Sequence, residues 1–158
     1  MSYTLPTRPE NSFAVGAITI VASKYNARYV DGLVEHAIEE LAAIAPGANV
    51  LVHRVPGAYE VPLAVQEVAA SSNPDAIIAF GVIIQGQTAH ADFIGRCVTE
   101  ALMRVSLEKR IPVIHEVLLV KNEQQAARRC LETDINRGIE AARTAVEMAG
   151  ALRRIGSR

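Results

Sequence analysis

Short apolar runs alternate with longer amphipathic runs along this chain of 158 residues. The apolar runs are residues 14–22, 49–55, 76–84 and 111–120. The stretches between them repeat apolar side chains at helical spacing, with charged side chains on the opposite face. This alternation is typical of parallel βαβ units, whose connections are right-handed. It predicts an α/β fold, a three-layer α/β/α sandwich in which a four-stranded parallel sheet has helices on both faces.

Helix caps mark the later helices of this pattern. The third helix is predicted over about residues 92–108, and two more helices follow the last strand. Asn122, with Gln125 three residues later, forms a predicted capping box for the fourth helix. Asp134 is the predicted N-cap of the fifth helix.

Composition and charge exclude several classes of protein. Sixteen basic and 17 acidic residues give a net charge of −1, which does not favour binding to nucleic acid or to an acidic membrane surface. The two cysteines and four histidines form no zinc-ligand pattern, so no metal site is predicted. The N-terminus is polar and the longest apolar run is half the length that crosses a bilayer. We expect a soluble, cytoplasmic protein with a single domain over residues 1–158, in which residues 1–12 are an N-terminal arm.

The loops that follow the predicted strands are the expected location of a site. In open parallel sheets, ligands bind outside the carboxyl ends of the strands. Three of the seven aromatic residues, Tyr25, Tyr59 and Phe93, fall in or beside these loops. The loops themselves are residues 23–26, 56–60, 85–92 and 121–129.

One of these loops can bind an anion. Residues 81–88 have the spacing of a phosphate loop, but Gln87 stands in place of the lysine and a buried strand lies between the glycines, so that interpretation is rejected. Gly86, Gln87 and Thr88 nevertheless precede a helix, whose free N–H groups and the Thr88 hydroxyl can bind one phosphate. The alternative is ordinary capping of that helix by Thr88 or Asp92.

His90 and Glu60 have both functional and structural interpretations. The positive end of the helix dipole disfavours an imidazolium at His90, so the ring is expected to be neutral near pH 7 and able to transfer protons. The alternative is an exposed histidine at the start of a helix. Glu60 can accept hydrogen bonds from a bound polyol, or it can cap its own helix.

Two pairs of polar residues near the fourth strand are also candidates. Arg128 and Arg129 follow a capped turn, and a guanidinium suits a phosphate, although an exposed salt bridge is the favoured interpretation of either residue taken alone. His115 and Glu116 interrupt an otherwise apolar strand. Their burial costs free energy unless they are paired or reach a cleft or an interface.

Taken together, these loops resemble the lumazine synthase family, which catalyses the penultimate step of riboflavin biosynthesis. Order and spacing agree without gaps from about Phe13 to Met148. The shared motifs are Tyr25-Asn26, the VPGAYEVP stretch at residues 55–62, the G-x-T-x-H-x-D stretch at 86–92, the stretch ending in arginine at 124–129, and the asparagine-led, alanine-rich helix at 136–148.

The resemblance implies a reaction and a site. The implied reaction is condensation of 5-amino-6-(D-ribitylamino)uracil with 3,4-dihydroxy-2-butanone 4-phosphate to give 6,7-dimethyl-8-ribityllumazine, without a cofactor or metal, on a fold of flavodoxin-like strand order. His90 is implied as the catalytic residue that transfers protons. The implied substrate-binding residues are Tyr25, Asn26, Ala58, Tyr59, Glu60, Ile83, Ile84, Gln87, Thr88, His115 and Arg129. Within this set, Tyr25 stacks on the pyrimidine, residues 58–60 line the ribityl chain, residues 83–84 meet the ring edge, and Gln87, Thr88 and Arg129 bind phosphate.

Assembly and activity are affected by departures from the family pattern. The family usually has Phe-Gly at the positions of His115 and Glu116, and that phenylalanine reaches a neighbouring subunit's site. It usually has lysine at the position of Arg137. Residues 131–135 replace a glycine-containing turn of capsid-forming members, which favours a homopentamer or a pair of pentamers with sites between subunits. The alternatives are a weakly active paralogue that binds ribitylated pyrimidines or flavins, and a purely structural shell protein.

Overall fold

The predicted alternation of strands and helices is confirmed in a computed structural model that describes residues 4–10 and 14–156. The strands are β1 (Ala17–Ser23), β2 (Asn49–Val55), β3 (Ala76–Ile84) and β4 (Val113–Val120). The helices are α1 (Ala27–Ile44), α2 (Val61–Ser71), α3 (His90–Lys109), α4 (Glu123–Cys130) and α5 (Arg137–Gly156), with a 3-10 turn at Ala58–Glu60 before α2. Within these described residues, no helix is both long and apolar enough to span a bilayer.

The four strands form one parallel sheet in the order β2-β1-β3-β4. This confirms the predicted sheet and the flavodoxin-like order, in which the chain moves outward in both directions from a central pair of strands. Helices α1, α4 and α5 pack on one face and helices α2 and α3 on the other, each over its own apolar cluster. The result is the predicted three-layer α/β/α arrangement.

Small residues let α1 and α5 pack closely. A Cβ added at Gly138 would lie 2.3 Å from the carbonyl oxygen of Leu33, so only glycine fits at this crossing. Ala141, Ala142 and Ala145 on α5 are completely buried against the same layer. The many alanines of the chain therefore have a packing reason, because helices with short side chains approach each other closely.

Some element ends differ from the predicted ones. The first strand begins at Ala17 rather than at residue 14, because the Asp75 carboxylate accepts hydrogen bonds from the N–H groups of Gly16 and Ala17, at 2.7 and 3.1 Å. The fourth strand begins at Val113, immediately after a proline, rather than at residue 111. These shifts leave the predicted order of elements unchanged.

The predicted N-cap at Asp134 is wrong. Helix α5 is capped by Asn136, whose Oδ1 accepts hydrogen bonds from the N–H groups of Gly138 at 2.9 Å and Ile139 at 3.2 Å. Asp134 lies two residues earlier and pairs instead with Arg128 at 3.5 Å. Local spacing identified a capping residue type but not the residue at which the helix begins.

The predicted capping box of α4 is confirmed in one half. Asn122 Oδ1 accepts a hydrogen bond from the Gln125 N–H at 2.9 Å. The Gln125 side chain returns to the N–H of Lys121, at 3.0 Å, one residue before the N-cap. Both hydrogen bonds hold the segment that leads from β4 into α4.

The described part of the predicted N-terminal arm, residues 4–10, is held by a buried carboxylate. Arg8 donates to both oxygens of Glu40 at 2.8 and 3.0 Å, and Arg143 donates to Glu40 at 2.7 Å. The Arg8 hydrogen bond, followed by those of Arg143, keeps the pKa of Glu40 below its ordinary value although burial opposes this. The rest of the predicted arm and Phe13 lie outside the described residues, and the single domain over residues 1–158 stays a prediction.

Candidate active site

The loops after β1 and β3 are tied together at the carboxyl end of the sheet. Asn26 adopts a left-handed backbone conformation, with φ of 57°, at the start of α1. Its side-chain Nδ2 donates a hydrogen bond of 2.7 Å to the carbonyl oxygen of Val82. This bond fixes the chain that presents Tyr25 relative to the end of β3, where Ile83 and Ile84 lie half-buried.

Gly57 brings Tyr25 and Glu60 together. A Cβ added at Gly57 would lie 2.9 Å from Tyr25 Cδ2 and 2.9 Å from Glu60 Oε2, so the close approach requires glycine. Glu60 Oε2 accepts a hydrogen bond of 2.8 Å from the Gly57 N–H, so Glu60 caps the 3-10 turn before α2 rather than α2 itself, as the structural alternative had it. The Tyr25 side chain is 68% exposed, and its ring is accessible for stacking.

The 3-10 turn that contains Ala58 and Tyr59 rests on β3. A Cβ added at Gly81 of β3 would be 3.4 Å from the Ala58 Cβ and 3.4 Å from Ser23 Oγ. Gly81 therefore lies directly beside the turn and the end of β1, although the nearest neighbour of an added Cβ would be Val117 Cγ1 of β4, at 3.1 Å, and not the turn. Ala58 is half-buried in this position and Tyr59 projects into solvent.

Tyr59 and His90 line one depression. Its other lining residues are Phe93, Ile94 and Cys97 of α3, and its volume is about 440 Å³. His90 is the first residue of α3 and is exposed. A polar ring beside aromatic and apolar side chains can contact a bound organic ring and exchange protons with it.

The start of α3 keeps its backbone N–H groups available to a ligand. Ala89 is the N-cap, and within the described part of the chain no side chain caps this helix, so the predicted alternative of capping by Thr88 or Asp92 is wrong. Gln87 and Thr88 are exposed in the preceding loop. A helix start of this kind favours an anion through its N–H groups and its dipole.

The two candidate arginines have different surroundings. Arg128 is exposed and pairs with Asp134, as the salt-bridge alternative predicted. Arg129 is half-buried on α4, where its Nη1 donates to the Gln125 carbonyl oxygen at 3.3 Å. It follows β4, the neighbour of β3, so it belongs to the same end of the sheet as the α3 start.

His115 lies apart from the loops. It is in the middle of β4, in register with Ala79 of β3, rather than at the carboxyl end of the sheet. Its Nε2 is 2.7 Å from Thr99 Oγ1 on α3, and its Nδ1 accepts a hydrogen bond of 3.1 Å from the Val117 N–H. Burial lowers the pKa of His115. The polar contacts of this ring are therefore made within its own chain.

A buried group of ionisable residues lies on the other face of β4. Burial raises the pKa of Glu116 to about 8, with Arg137 opposing the rise and Glu140 adding to it. Burial, together with the charge of Glu116, raises the pKa of Cys130 to about 12. Arg137 is buried and forms an ion pair with Glu140. The sequence signalled this group only through the polar pair at residues 115–116, and it gave no sign of Thr99.

The family follows from comparison of the whole chain. The model of the family described as 6,7-dimethyl-8-ribityllumazine synthase matches residues 16–153. The chain belongs to this family. The match includes all the predicted site residues, and the lumazine synthase family resemblance from the loops is thus confirmed.

Named relatives agree with the family match. The Paraburkholderia phymatum 6,7-dimethyl-8-ribityllumazine synthase is 42% identical over 133 residues, which cover 84% of this chain and 75% of the relative. The Paraburkholderia phytofirmans protein of that name is 40% identical over 143 residues, covering 88% and 83%. The Burkholderia multivorans protein of that name is 39% identical over 133 residues, covering 84% and 75%.

Proposed function

We propose that this chain is an active 6,7-dimethyl-8-ribityllumazine synthase of riboflavin biosynthesis. The proposed reaction condenses 5-amino-6-(D-ribitylamino)uracil with 3,4-dihydroxy-2-butanone 4-phosphate and releases water and phosphate. The supporting observation is the family match over residues 16–153, joined by relatives of that name at about 40% identity.

The pyrimidine substrate is proposed to bind between the loops after β1, β2 and β3. Tyr25 stacks on the pyrimidine ring, and Asn26 holds the Tyr25 backbone through its hydrogen bond to Val82. Residues 58–60 line the ribityl chain, where one Glu60 oxygen already accepts from Gly57 and the carboxylate is exposed to accept from hydroxyl groups. Ile83 and Ile84 meet the edge of the pyrimidine.

The phosphate of the second substrate is proposed to bind at the start of α3. Gln87, Thr88 and the N–H groups of the first helical turn supply hydrogen bonds, and the lack of a side-chain cap in the described residues supports this use. Arg129 supplies the positive charge. The preceding residue, Arg128, forms a salt bridge with Asp134 and is not part of the proposed site.

His90 is proposed to transfer protons during imine formation, phosphate elimination and ring closure. It shares a depression with Tyr59 and lies within the first turn of the helix that would bind the phosphate. Its imidazole can therefore reach both substrates. Holding the two substrates together supplies much of the acceleration, because the condensation becomes effectively intramolecular.

The proposed enzyme is a cytoplasmic homo-oligomer, either a pentamer or a pair of pentamers. Its sites lie between subunits, and His115 contacts the pyrimidine in a neighbouring subunit's site. Large apolar side chains remain exposed on α2 and α3 and support burial against further copies: Leu63, Phe93, Met103 and Leu107. Light scattering tests this assembly. A monomer in solution would contradict it, and capsid-sized particles would favour the structural shell.

Turnover tests the proposed function directly. Purified protein is mixed with both substrates, and lumazine absorbance is followed against a protein-free reaction. Formation of lumazine well above the spontaneous rate is the expected result. No acceleration would overturn the proposal, and binding of the ribitylated pyrimidine without acceleration would identify a binding paralogue instead.

A further inference from the structure

Both nitrogens of the His115 ring are hydrogen-bonded, one to the Val117 N–H and the other to Thr99 Oγ1, and these two hydrogen bonds are called the clamp below. Nδ1 accepts from the Val117 N–H at 3.1 Å, so the ring proton of the neutral form resides on Nε2. Nε2–H then donates to Thr99 Oγ1 at 2.7 Å, while the Thr99 hydroxyl donates to the Gly95 carbonyl oxygen at 2.8 Å. Each donor in this series of three hydrogen bonds meets an acceptor. The series therefore defines both the tautomer and the orientation of the His115 ring.

The clamp lies along the edge of the sheet. Strand β4 is the outermost strand, and β3 is its only neighbour among the described residues. The Val117 N–H donates its hydrogen bond to the His115 ring rather than to a carbonyl oxygen of β3. The ring therefore covers the edge of β4 beside α3, in a position where another subunit can approach one of its faces.

We propose that Thr99 is a positioning residue that holds His115 as the Nε2–H tautomer with its ring face presented to the pyrimidine substrate. This rests on the proposed function, in which His115 contacts the pyrimidine of a neighbouring subunit's site. Because both ring nitrogens are engaged, His115 interacts with that substrate through its face and not through a hydrogen bond. Thr99 acts only through His115 and does not touch the substrate.

The surroundings of the clamp favour the neutral ring. Protonation would place an Nδ1–H against the Val117 N–H and break the 3.1 Å hydrogen bond. Burial acts in the same direction by lowering the pKa of His115. The charged side chains that line the adjoining depression are Asp92, Arg96 and Glu100, all on α3. Thr99 Oγ1 accepts from Nε2–H in the neutral and in the protonated ring alike, so Thr99 sets the orientation of the ring, while the Val117 N–H and burial favour its neutral form.

Three variants separate positioning from general support of the fold. Thr99→Val keeps the shape of the side chain and removes the hydroxyl, and Thr99→Ser restores it. Ser71→Ala is a matched control, because Ser71 Oγ donates to the Glu67 carbonyl oxygen four residues earlier at 2.8 Å on α2, as Thr99 does on α3. Each variant is assayed for the two KM values and kcat over pH 5.5–8, and histidine-selective ¹⁵N NMR, assigned with His115→Asn, reports the His115 tautomer and pKa.

The proposal predicts a selective effect. Thr99→Val should raise KM for the ribitylated pyrimidine about two- to tenfold, the effect of one ordinary hydrogen bond, with KM for the phosphate substrate unchanged. The same variant should lower the share of the Nε2–H tautomer in the His115 ¹⁵N spectrum, because Oγ1 of residue 99 no longer accepts from Nε2–H. Thr99→Ser and Ser71→Ala should resemble the wild type.

Contrary results are distinguishable from failure of the proposed function. A wild-type protein without turnover would refute the enzyme itself, whereas the NMR spectrum would still report the clamp. An active wild type whose His115 carries its proton on Nδ1 would overturn the positioning role. So would a Thr99→Val protein with unchanged pyrimidine KM, or one in which both KM values rise equally.

Discussion

Replacement of Glu116 by glutamine should remove a pH-dependent destabilisation of the fold. Burial raises the pKa of this carboxyl from 4.5 to about 8. Between these two values the folded protein keeps a proton that the unfolded chain releases, so stability falls as pH rises through this window and levels off above about pH 8. Glutamine resembles the protonated acid in shape and does not ionise.

The size of the effect follows from the same two values. At about 1.4 kcal/mol per pKa unit, the rise from 4.5 to about 8 sets an upper limit of about 5 kcal/mol on the destabilisation above pH 8. The opposing charge of Arg137 is already included in the value of about 8, but water that reaches the carboxylate on ionisation lowers the cost below this limit. We expect Glu116→Gln to be about 2–4 kcal/mol more stable than the wild type at pH 8.5.

Urea unfolding at pH 4.5, 6, 7 and 8.5, at one protein concentration, measures this difference. The gap in unfolding free energy between Glu116→Gln and the wild type should be small at pH 4.5 and grow with pH. Other titrating groups are shared by both proteins and cancel in the gap. Glu147→Gln, an exposed change on α5, is the matched control and should show no such trend. A gap independent of pH, or a variant less stable than the wild type at pH 8.5, would refute the reasoning.

Three further substitutions, one of them with a matched control, test the proposed site and the N-terminal segment. His90→Ala should lower kcat about a hundredfold if proton transfer limits the rate, and an unchanged kcat would leave His90 a structural residue. Arg129→Ala should raise KM for the phosphate substrate about ten- to a hundredfold in a steady-state assay, whereas its control Arg128→Ala should not; an unchanged KM in Arg129→Ala would exclude Arg129 from the phosphate site. Glu40→Gln should destabilise the protein by about 3 kcal/mol and speed proteolysis within residues 4–10, because two arginines lose their shared carboxylate; unchanged thermal unfolding and cleavage would contradict that role.

The loop motifs were predictable because they are local. Tyr25, Asn26 and Glu60 stand immediately after strands, so their place at the carboxyl end of the sheet follows once the strands are identified. The hydrogen bond from Asn26 to Val82 and the dependence of the Tyr25 contact on Gly57 were not predictable, since both join segments that are distant in sequence. The sequence motif names these residues, and packing determines their contacts.

The polar pair in β4 shows the limit of sequence reasoning. The interruption of an apolar strand predicts that His115 and Glu116 need partners, but it does not identify them. Alternation along a strand sends the two side chains to opposite faces, one toward Thr99 on α3 and the other toward Arg137 on α5. These partners depend on which helix packs on which face.

The sequence by itself determined the order of strands and helices, the parallel sheet and the family. Apolar periodicity is set by neighbouring residues, and each motif lies within a few positions of a strand end. Only the tertiary structure decided which residue caps α5, which arginine is engaged by Asp134, and how His115, Glu116 and Glu40 satisfy their polar groups. Each of these depends on side chains that approach one another only after the helices have packed on the sheet.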